Sequence, residues 1–158
     1  MTDRPIDPDL DLVLERVVDV RPELLWKCWT EPEHLMQWFT PAPWQTIACE
    51  IDLRPGGIFS TTMRSPEGEV IPPSPGCFLE IVPHRKLVFT DGLGPGFRPK
   101  SAAFMTAIVH FEPEGEGTRY RAIALHVDSE GKQKHEDMDF FQGWGTALEQ
   151  LVVHAKSL

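Results

Sequence analysis

The most informative part of the sequence is residues 12–39, LVLERVVDVRPELLWKCWTEPEHLMQWF. Apolar residues occupy every second position from Leu12 to Val20 except Arg16, and this period predicts a strand with one buried face. Pro22 suits the first turn of a helix, where its missing N–H costs nothing. Thr30 and Glu33 have the spacing of a capping box, which predicts a second short helix after a break.

A run of strands is predicted after the two helices. Residues 47–53 alternate between apolar and polar, and Arg54-Pro55-Gly56-Gly57 fits a type II turn, so the following strand pairs antiparallel with them. The proline-rich residues 71–76 suit an edge or a loop. Further strands are predicted at residues 58–64, 78–82, 87–90, 104–111 and 119–127.

The last predicted element is one long helix, from about Lys134 to Lys156. This stretch contains no proline, and its apolar residues recur at steps of three and four, which gives a face wide enough to lie against a sheet. Gly143 and Gly145 flank Trp144. Because glycine weakens a helix, they indicate close packing or space beside it.

The order of elements predicts an α+β fold. We expect a curved antiparallel sheet of six or seven strands wrapped around the long C-terminal helix, with two short helices after the first strand. Residues 1–9 are expected to be a flexible N-terminus and residues 10–158 a single domain.

Composition excludes several classes of function. The formal net charge of −9 argues against binding nucleic acid or anionic lipid, which both need a basic face. No apolar run reaches the roughly 20 residues of a membrane span. The acidic, polar N-terminus is not a secretory signal, so we expect a cytoplasmic protein. Cys28, Cys49 and Cys77 form no C-x-x-C pair, which predicts reduced, inert thiols.

One motif resembles that of a known superfamily. The residues 26–35, WKCWTEPEHL, followed by Trp38-Phe39, resemble the opening of the START-related helix-grip (SRPBCC) proteins. More narrowly they resemble the branch named after the activator of the heat-shock protein 90 ATPase. Further matching segments are residues 53–57 (LRPGG), 78–83 (FLEIVP), 86–90 (KLVFT) and 143–145 (GWG).

This resemblance implies a helix-grip fold with a deep apolar cavity between the sheet and the long helix. Ligands and activities vary widely among such proteins, so the fold does not name the function. In the cochaperone after which the branch is named, this domain accompanies a further N-terminal domain. Because we expect no counterpart of that domain here, its activity is not carried over.

Arg16 is a candidate ligand anchor, because it breaks the apolar face of the first strand. A buried guanidinium must be paired. Its partner is either a ligand carboxylate or a carboxylate such as Glu50 or Asp52. The alternative is an arginine that extends along the strand end to solvent and stacks on a tryptophan.

The histidines have no metal-ligand spacing, since His135-Glu136 is followed by Asp139 where a second imidazole would be needed. We therefore expect no metal site and no cofactor. His110 and His126 fall on neighbouring predicted strands and are candidates for general acid and base. Their strand positions favour solvated side chains instead.

The remaining site candidates are large apolar residues. In most proteins such residues form a plain core, and the resemblance indicates that here they line a cavity. With Arg16, the predicted ligand-binding residues are Trp38, Phe59, Met63, Phe78, Phe104, Phe141, Trp144 and Leu148. No catalytic residue is assigned.

Three classes of function stay open. The leading hypothesis is binding of a small hydrophobic or amphipathic molecule in the cavity. The first alternative is a cavity enzyme of cyclase, dehydratase or hydrolase type, which needs an inward carboxylate or imidazole with a shifted pKa. The second is an interaction module, either a homodimer or a chaperone partner in the stress response. It would need a filled interior and a contiguous exposed apolar patch, with residues 71–76 as its first candidate.

Overall fold

The computed structural model describes residues 4–158, which fold into four helices, ten strands and one short 3-10 turn. The helices are α1 Pro22–Thr30, α2 Pro32–Leu35, α3 Ser129–Asp137 and α4 Phe140–Lys156. The strands are β1 Asp11–Val18, β2 Gln45–Ile51, β3 Ile58–Arg64, β4 Val70–Ile71, β5 Gly76–Val82, β6 Lys86–Thr90, β7 Leu93–Gly94, β8 Arg98–Pro99, β9 Thr106–Glu114 and β10 Gly117–Leu125.

Seven strands form one antiparallel sheet in the order β1-β10-β9-β6-β5-β3-β2. Short β4 extends it by pairing with β3, and β7 pairs with β8 separately. Register shifts in β2, between Thr46 and Ala48, and in β5, between Phe78 and Glu80, mark bulges. Bulges increase local twist and bend a strand, so they help the sheet to curve. The predicted α+β helix-grip architecture is confirmed.

The main core lies between one face of the sheet and α4. Ala122 and Ala124 of β10 are fully buried there, and such small side chains allow the helix to approach closely. The helix contributes Leu148, Leu151 and Ala155. On the other face of the sheet, a second cluster centres on Val88, Ile108 and Ile123, and Ile6 packs against it.

The predicted capping box is wrong. Thr30 belongs to the last turn of α1, where its hydroxyl donates to the carbonyl of Trp26 at 2.8 Å. The break after α1 is at Glu31, which is extended (φ −105°, ψ 120°) and has no side-chain hydrogen bond as a cap. Pro32 is the physical reason, since a residue before proline is disfavoured in the helical conformation.

The prediction of one unbroken helix from Lys134 to Lys156 is also wrong. Asp139 adopts a left-handed conformation (φ 62°, ψ 51°) and separates α3 from α4. Aspartate tolerates this region better than most residues do. Helix α3 begins earlier than predicted, at Ser129, because the Asp128 carboxylate accepts from the N–H of Gly131 at 2.7 Å and caps it.

Two further predictions concern the N-terminus and the absence of a membrane-spanning segment. The predicted flexible N-terminus lies partly outside the described residues, and its described part includes the packed Ile6. Across residues 4–158, no helix is long and apolar enough to cross a bilayer.

Gln150 ties α4 to the segment that follows α2. Its amide NH2 donates to the carbonyls of Trp38 at 2.8 Å and Thr40 at 3.0 Å. Its amide oxygen accepts from the N–H of Ala42 at 2.9 Å. Three backbone groups that belong to no helix or strand are thereby satisfied by one side chain.

Replacing this amide should loosen the segment. Gln150→Met keeps the length and helix propensity but leaves three backbone groups without their partner, at roughly 0.5 to 1.5 kcal/mol each. We expect the free energy of unfolding, measured by urea denaturation, to fall by about 2 kcal/mol. Gln142→Met, at an exposed position of the same helix, should change it by less than about 0.5 kcal/mol. Equal values for the two variants would refute the role assigned to Gln150.

Candidate functional site

A cavity of about 340 Å³ lies beside the N-terminal half of α4. Most of its walls are aromatic or aliphatic, and the exposed Met138 and Asp139 mark its opening. The lining residues are Trp29, Trp38, Phe39, Pro41, Met63, Phe89, Phe104, Met105, Tyr120, His135, Met138, Asp139, Phe140, Gly143, Trp144 and Ala147.

A second lobe of about 310 Å³ adjoins this cavity. The two spaces share Phe39, Met63, Phe89 and Met105 as lining residues. Asp91 also lines the lobe, and its carboxylate accepts from the N–H groups of Phe104 at 2.8 Å and Met105 at 3.1 Å. This carboxylate therefore holds the chain that enters β9 against the shared wall.

Trp29 is the centre of the aromatic wall. Its ring lies 4.9 Å from Trp38 and 5.8 Å from both Phe39 and Phe89, between ring centroids. Edge-to-face arrangements such as Trp29–Trp38 and Trp29–Phe39 are favoured between aromatic rings. The Trp38 indole N–H donates to the carbonyl of Cys28 at 3.0 Å, so the wall is also fixed by a buried hydrogen bond.

Tyr120 places a hydroxyl among these rings. The hydroxyl oxygen accepts from the Trp29 indole N–H at 3.2 Å. Burial raises the pKa of Tyr120 far above its usual range, so the phenol stays protonated. The described residues offer no acceptor for that proton, which is free to hydrogen-bond a ligand.

His135 is a second titratable side chain buried in the cavity wall. Its ring packs 4.6 Å from Phe104 and 5.1 Å from Phe140, between centroids. Its Nδ1 lies 2.8 Å from Nε2 of His126, whose own Nδ1 lies 2.8 Å from the carbonyl oxygen of Leu10. Burial, reinforced by the nearby His126, lowers the pKa of His135 to about 4. The imidazole of His135 is therefore neutral near pH 7.

Four of the predicted site residues meet in the main cavity, namely Trp38, Met63, Phe104 and Trp144. Phe59 lines the second lobe. Phe78 is fully buried and stacks on Phe59 at 5.2 Å, and Leu148 is buried in the main core; neither lines the two spaces. Phe141 is 47% exposed and lies outside the cavity.

Arg16 also lies outside the cavity. Its guanidinium is 3.7 Å from the Glu149 carboxylate on α4, and Asp52 pairs with Arg54 instead. The guanidinium covers Gly145, where an added Cβ would come within 2.7 Å of Nη2. The two glycines of α4 therefore occupy different surroundings. Gly143 borders open space, whereas Gly145 is closely packed.

Sequence reasoning missed several of the wall residues. Tyr120 had a usable signal, because it shares strand parity with the buried Ala122 and Ala124. His135 had none, because it lies on a helix whose other residues are mostly polar and exposed. The other missed residues are Trp29, Phe39, Pro41, Phe89, Met105, Met138, Asp139, Phe140, Gly143 and Ala147.

The expectation of solvated histidines is wrong for His126, which is 9% exposed and bonded to His135. The parity of β10 continues past the strand end and directs this residue inward. His110 is half-buried on the sheet face of Ile108, opposite Val109 and Phe111. The two histidines therefore do not form an acid–base pair.

The thiols and the surface carboxylates offer little chemistry. Burial raises the pKa values of Cys28 and Cys49 to about 11, which leaves these free cysteines as unreactive thiols near neutral pH. Glu31, Glu33 and His34 have ligand atoms within 4.8 Å of one another. They lie away from the cavity, and Nδ1 of His34 is hydrogen-bonded to His154 at 3.0 Å.

The same architecture occurs in other proteins of known structure. A crystal structure of a Nitrosomonas europaea protein is 43% identical, with a TM-score of 0.93 over 96% of this chain and 97% of that one. A Rhodobacter sphaeroides protein shares the fold at 18% identity, with a TM-score of 0.82 over 98% and 97% of the two chains. No protein with a curated description matches.

The family model described as "Activator of Hsp90 ATPase homolog 1-like protein" matches residues 19–156. A solution structure of a protein of that name from Aeromonas hydrophila has a TM-score of 0.69 at 18% identity, over 94% of this chain and 93% of that one. Because the family model spans most of the sequence, the chain belongs to the activator of Hsp90 ATPase homolog 1-like family.

Proposed function

We propose that the protein binds a small, neutral, apolar or amphipathic molecule in the cavity beside α4. The observation that carries this proposal is an apolar space of about 340 Å³ into which two buried polar groups, Tyr120 and His135, project. Binding sites for small molecules commonly combine apolar walls with a few polar groups that fix orientation. The adjoining second lobe provides room for a longer ligand.

The charges around the cavity favour a neutral ligand. The described residues that line it include no lysine or arginine, and the carboxylate of Asp139 lies at the opening. The protein also carries a net charge of −9, which repels anions. A free fatty acid or other carboxylate would lose its hydration without gaining a cationic partner.

An enzyme in this cavity is less well supported. His135 meets the requirement for an inward titratable group with a shifted pKa. A general base works best when its pKa lies near the operating pH, and a pKa of about 4 makes a weak base at neutral pH. The lowered basicity suits a neutral hydrogen-bonding group better than a proton carrier.

An interaction module is likewise less well supported. Such a module would need a filled interior, and the cavity leaves space beside α4. The proline-rich segment expected to serve it also contributes Ile71, Pro72 and Ser74 to the second lobe, so part of it faces inward. Homodimerisation and chaperone contact therefore stay as alternatives that the binding test below also probes.

Filling the cavity from its helix wall should weaken binding strongly. A Cβ at Gly143 meets no atom within 4 Å, so Gly143→Leu places a side chain in the open space and also improves helix propensity. We expect the affinity for N-phenyl-1-naphthylamine, measured by its fluorescence, to fall at least about tenfold.

Gln142→Leu provides the matched control, because it adds the same side chain one residue away on the exposed face of α4. This variant should bind the probe like the parent protein. If both variants bind the probe unchanged, the cavity is not the binding site. If the parent protein does not bind this probe and no small molecule co-purifies with it, the interaction module becomes the better account.

The state of His135 can be measured directly. Because folding lowers its pKa from 6.5 to about 4, the neutral ring stabilises the fold above pH 6.5. That stabilisation is lost progressively as the pH falls from 6.5 to about 4, and about 2 kcal/mol of it is lost between pH 8 and pH 5. An NMR titration of the imidazole should show a midpoint near 4 in the parent protein. A midpoint near 6.5 would contradict the buried, neutral assignment.

A further inference from the structure

We propose that His135 selects ligands that carry a hydrogen-bond donor, above all an uncharged hydroxyl group such as that of an alcohol or phenol. The proposal rests on the proposed binding function and adds the chemistry of the polar contact. It depends on a chain of three groups, Leu10, His126 and His135, whose hydrogen bonds determine which atom of His135 carries a proton.

The chain begins at a backbone carbonyl. The oxygen of Leu10 can only accept, so the Nδ1 of His126, 2.8 Å away, must carry the hydrogen. In the neutral form of His126, Nε2 is then a bare acceptor. The position of the Leu10 carbonyl is fixed further, because the same oxygen also accepts from the backbone N–H of His126 at 3.2 Å.

The second hydrogen bond determines which nitrogen of His135 carries the hydrogen. Because Nε2 of His126 accepts, the Nδ1 of His135 at 2.8 Å must be the donor. A neutral imidazole carries one hydrogen, so Nε2 of His135 has a free lone pair. The described residues provide no hydrogen-bond partner for this atom, although the residue is only 6% exposed and lines the cavity.

A ligand that fills the cavity displaces water from Nε2, and an acceptor left there without a donor is costly, so a ligand that supplies a donor gains affinity. A hydroxyl can donate to Nε2 while the rest of the molecule lies against Phe104, Phe140 and Trp144, which surround the ring. A ketone or ether would bring a lone pair against the lone pair of Nε2. The contact with Nε2 of His135 therefore distinguishes a hydroxyl from a carbonyl group of similar size.

The test compares two probes that differ only in the hydroxyl, naphthalene and 2-naphthol, at pH 8, above the ordinary histidine pKa of about 6.5. Each competes with N-phenyl-1-naphthylamine for the cavity. We expect the parent protein to bind 2-naphthol about five to ten times more tightly than naphthalene. In His135→Phe, which keeps an aromatic ring but lacks the acceptor, that preference should vanish or reverse.

Each outcome separates the two proposals. If neither probe competes in the parent protein and N-phenyl-1-naphthylamine does not bind, the proposed binding function fails. If both probes bind with equal affinity, or if His135→Phe keeps the preference, binding stands and the role of His135 is overturned. Should His135→Phe fail to fold, ¹⁵N NMR of the parent protein at pH 8 gives the answer. A protonated Nε2 and bare Nδ1 on His135 would refute the assignment.

Discussion

The cavity depends on one side chain of α4, the amide of Gln150. It reaches three backbone groups at residues 38–42 and so holds a loop with no regular structure of its own against the helix. That loop carries Trp38, Phe39 and Pro41, which form one wall of the cavity. A buried loop must have its polar backbone satisfied, because each unmet group costs free energy. Gln150 meets that requirement and keeps the wall in place without filling the space.

The two polar groups of the cavity, Tyr120 and His135, are held in the same way. Tyr120 and His135 are each hydrogen-bonded on the protein side, by Trp29 and by His126, and each keeps one hydrogen-bonding function for the cavity. The tyrosine offers a proton and the histidine a lone pair. Partners within the protein set the orientation of both groups before any ligand binds. Binding a ligand with matching groups therefore costs less side-chain conformational entropy.

Family membership explains the architecture and leaves the chemistry to the residues. The fold is shared with a Rhodobacter sphaeroides protein at only 18% identity, which is a likeness of fold alone. The shared parts are the curved sheet and the helix that lies on it, and these create the space. What the space accepts depends on single side chains such as His135, whose neutral state follows from burial and from its contact with His126.

Several features of the fold could be predicted from the sequence because their causes are local. The period-two pattern of β1, the proline that starts α1 and the periodic apolar face of α4 each act within a few residues. The break at Asp139 escaped prediction, since the left-handed conformation of one aspartate leaves no signature in the apolar pattern.

Most of the site, in contrast, depends on contacts between distant parts of the chain. Trp38, Met63, Phe104 and Trp144 were predicted through the family resemblance, whereas Tyr120 and His135 were not. His126 lies 116 residues from its partner Leu10, and Gln150 lies 112 residues from Trp38. The sequence therefore specified the elements and their apolar faces, because these follow from neighbouring residues. Only the packed tertiary structure specified which polar groups reach the cavity and which of their atoms stay free. These depend on strand register and on distant partners such as Trp29, which lies 91 residues from Tyr120, and Leu10, which lies 116 residues from His126.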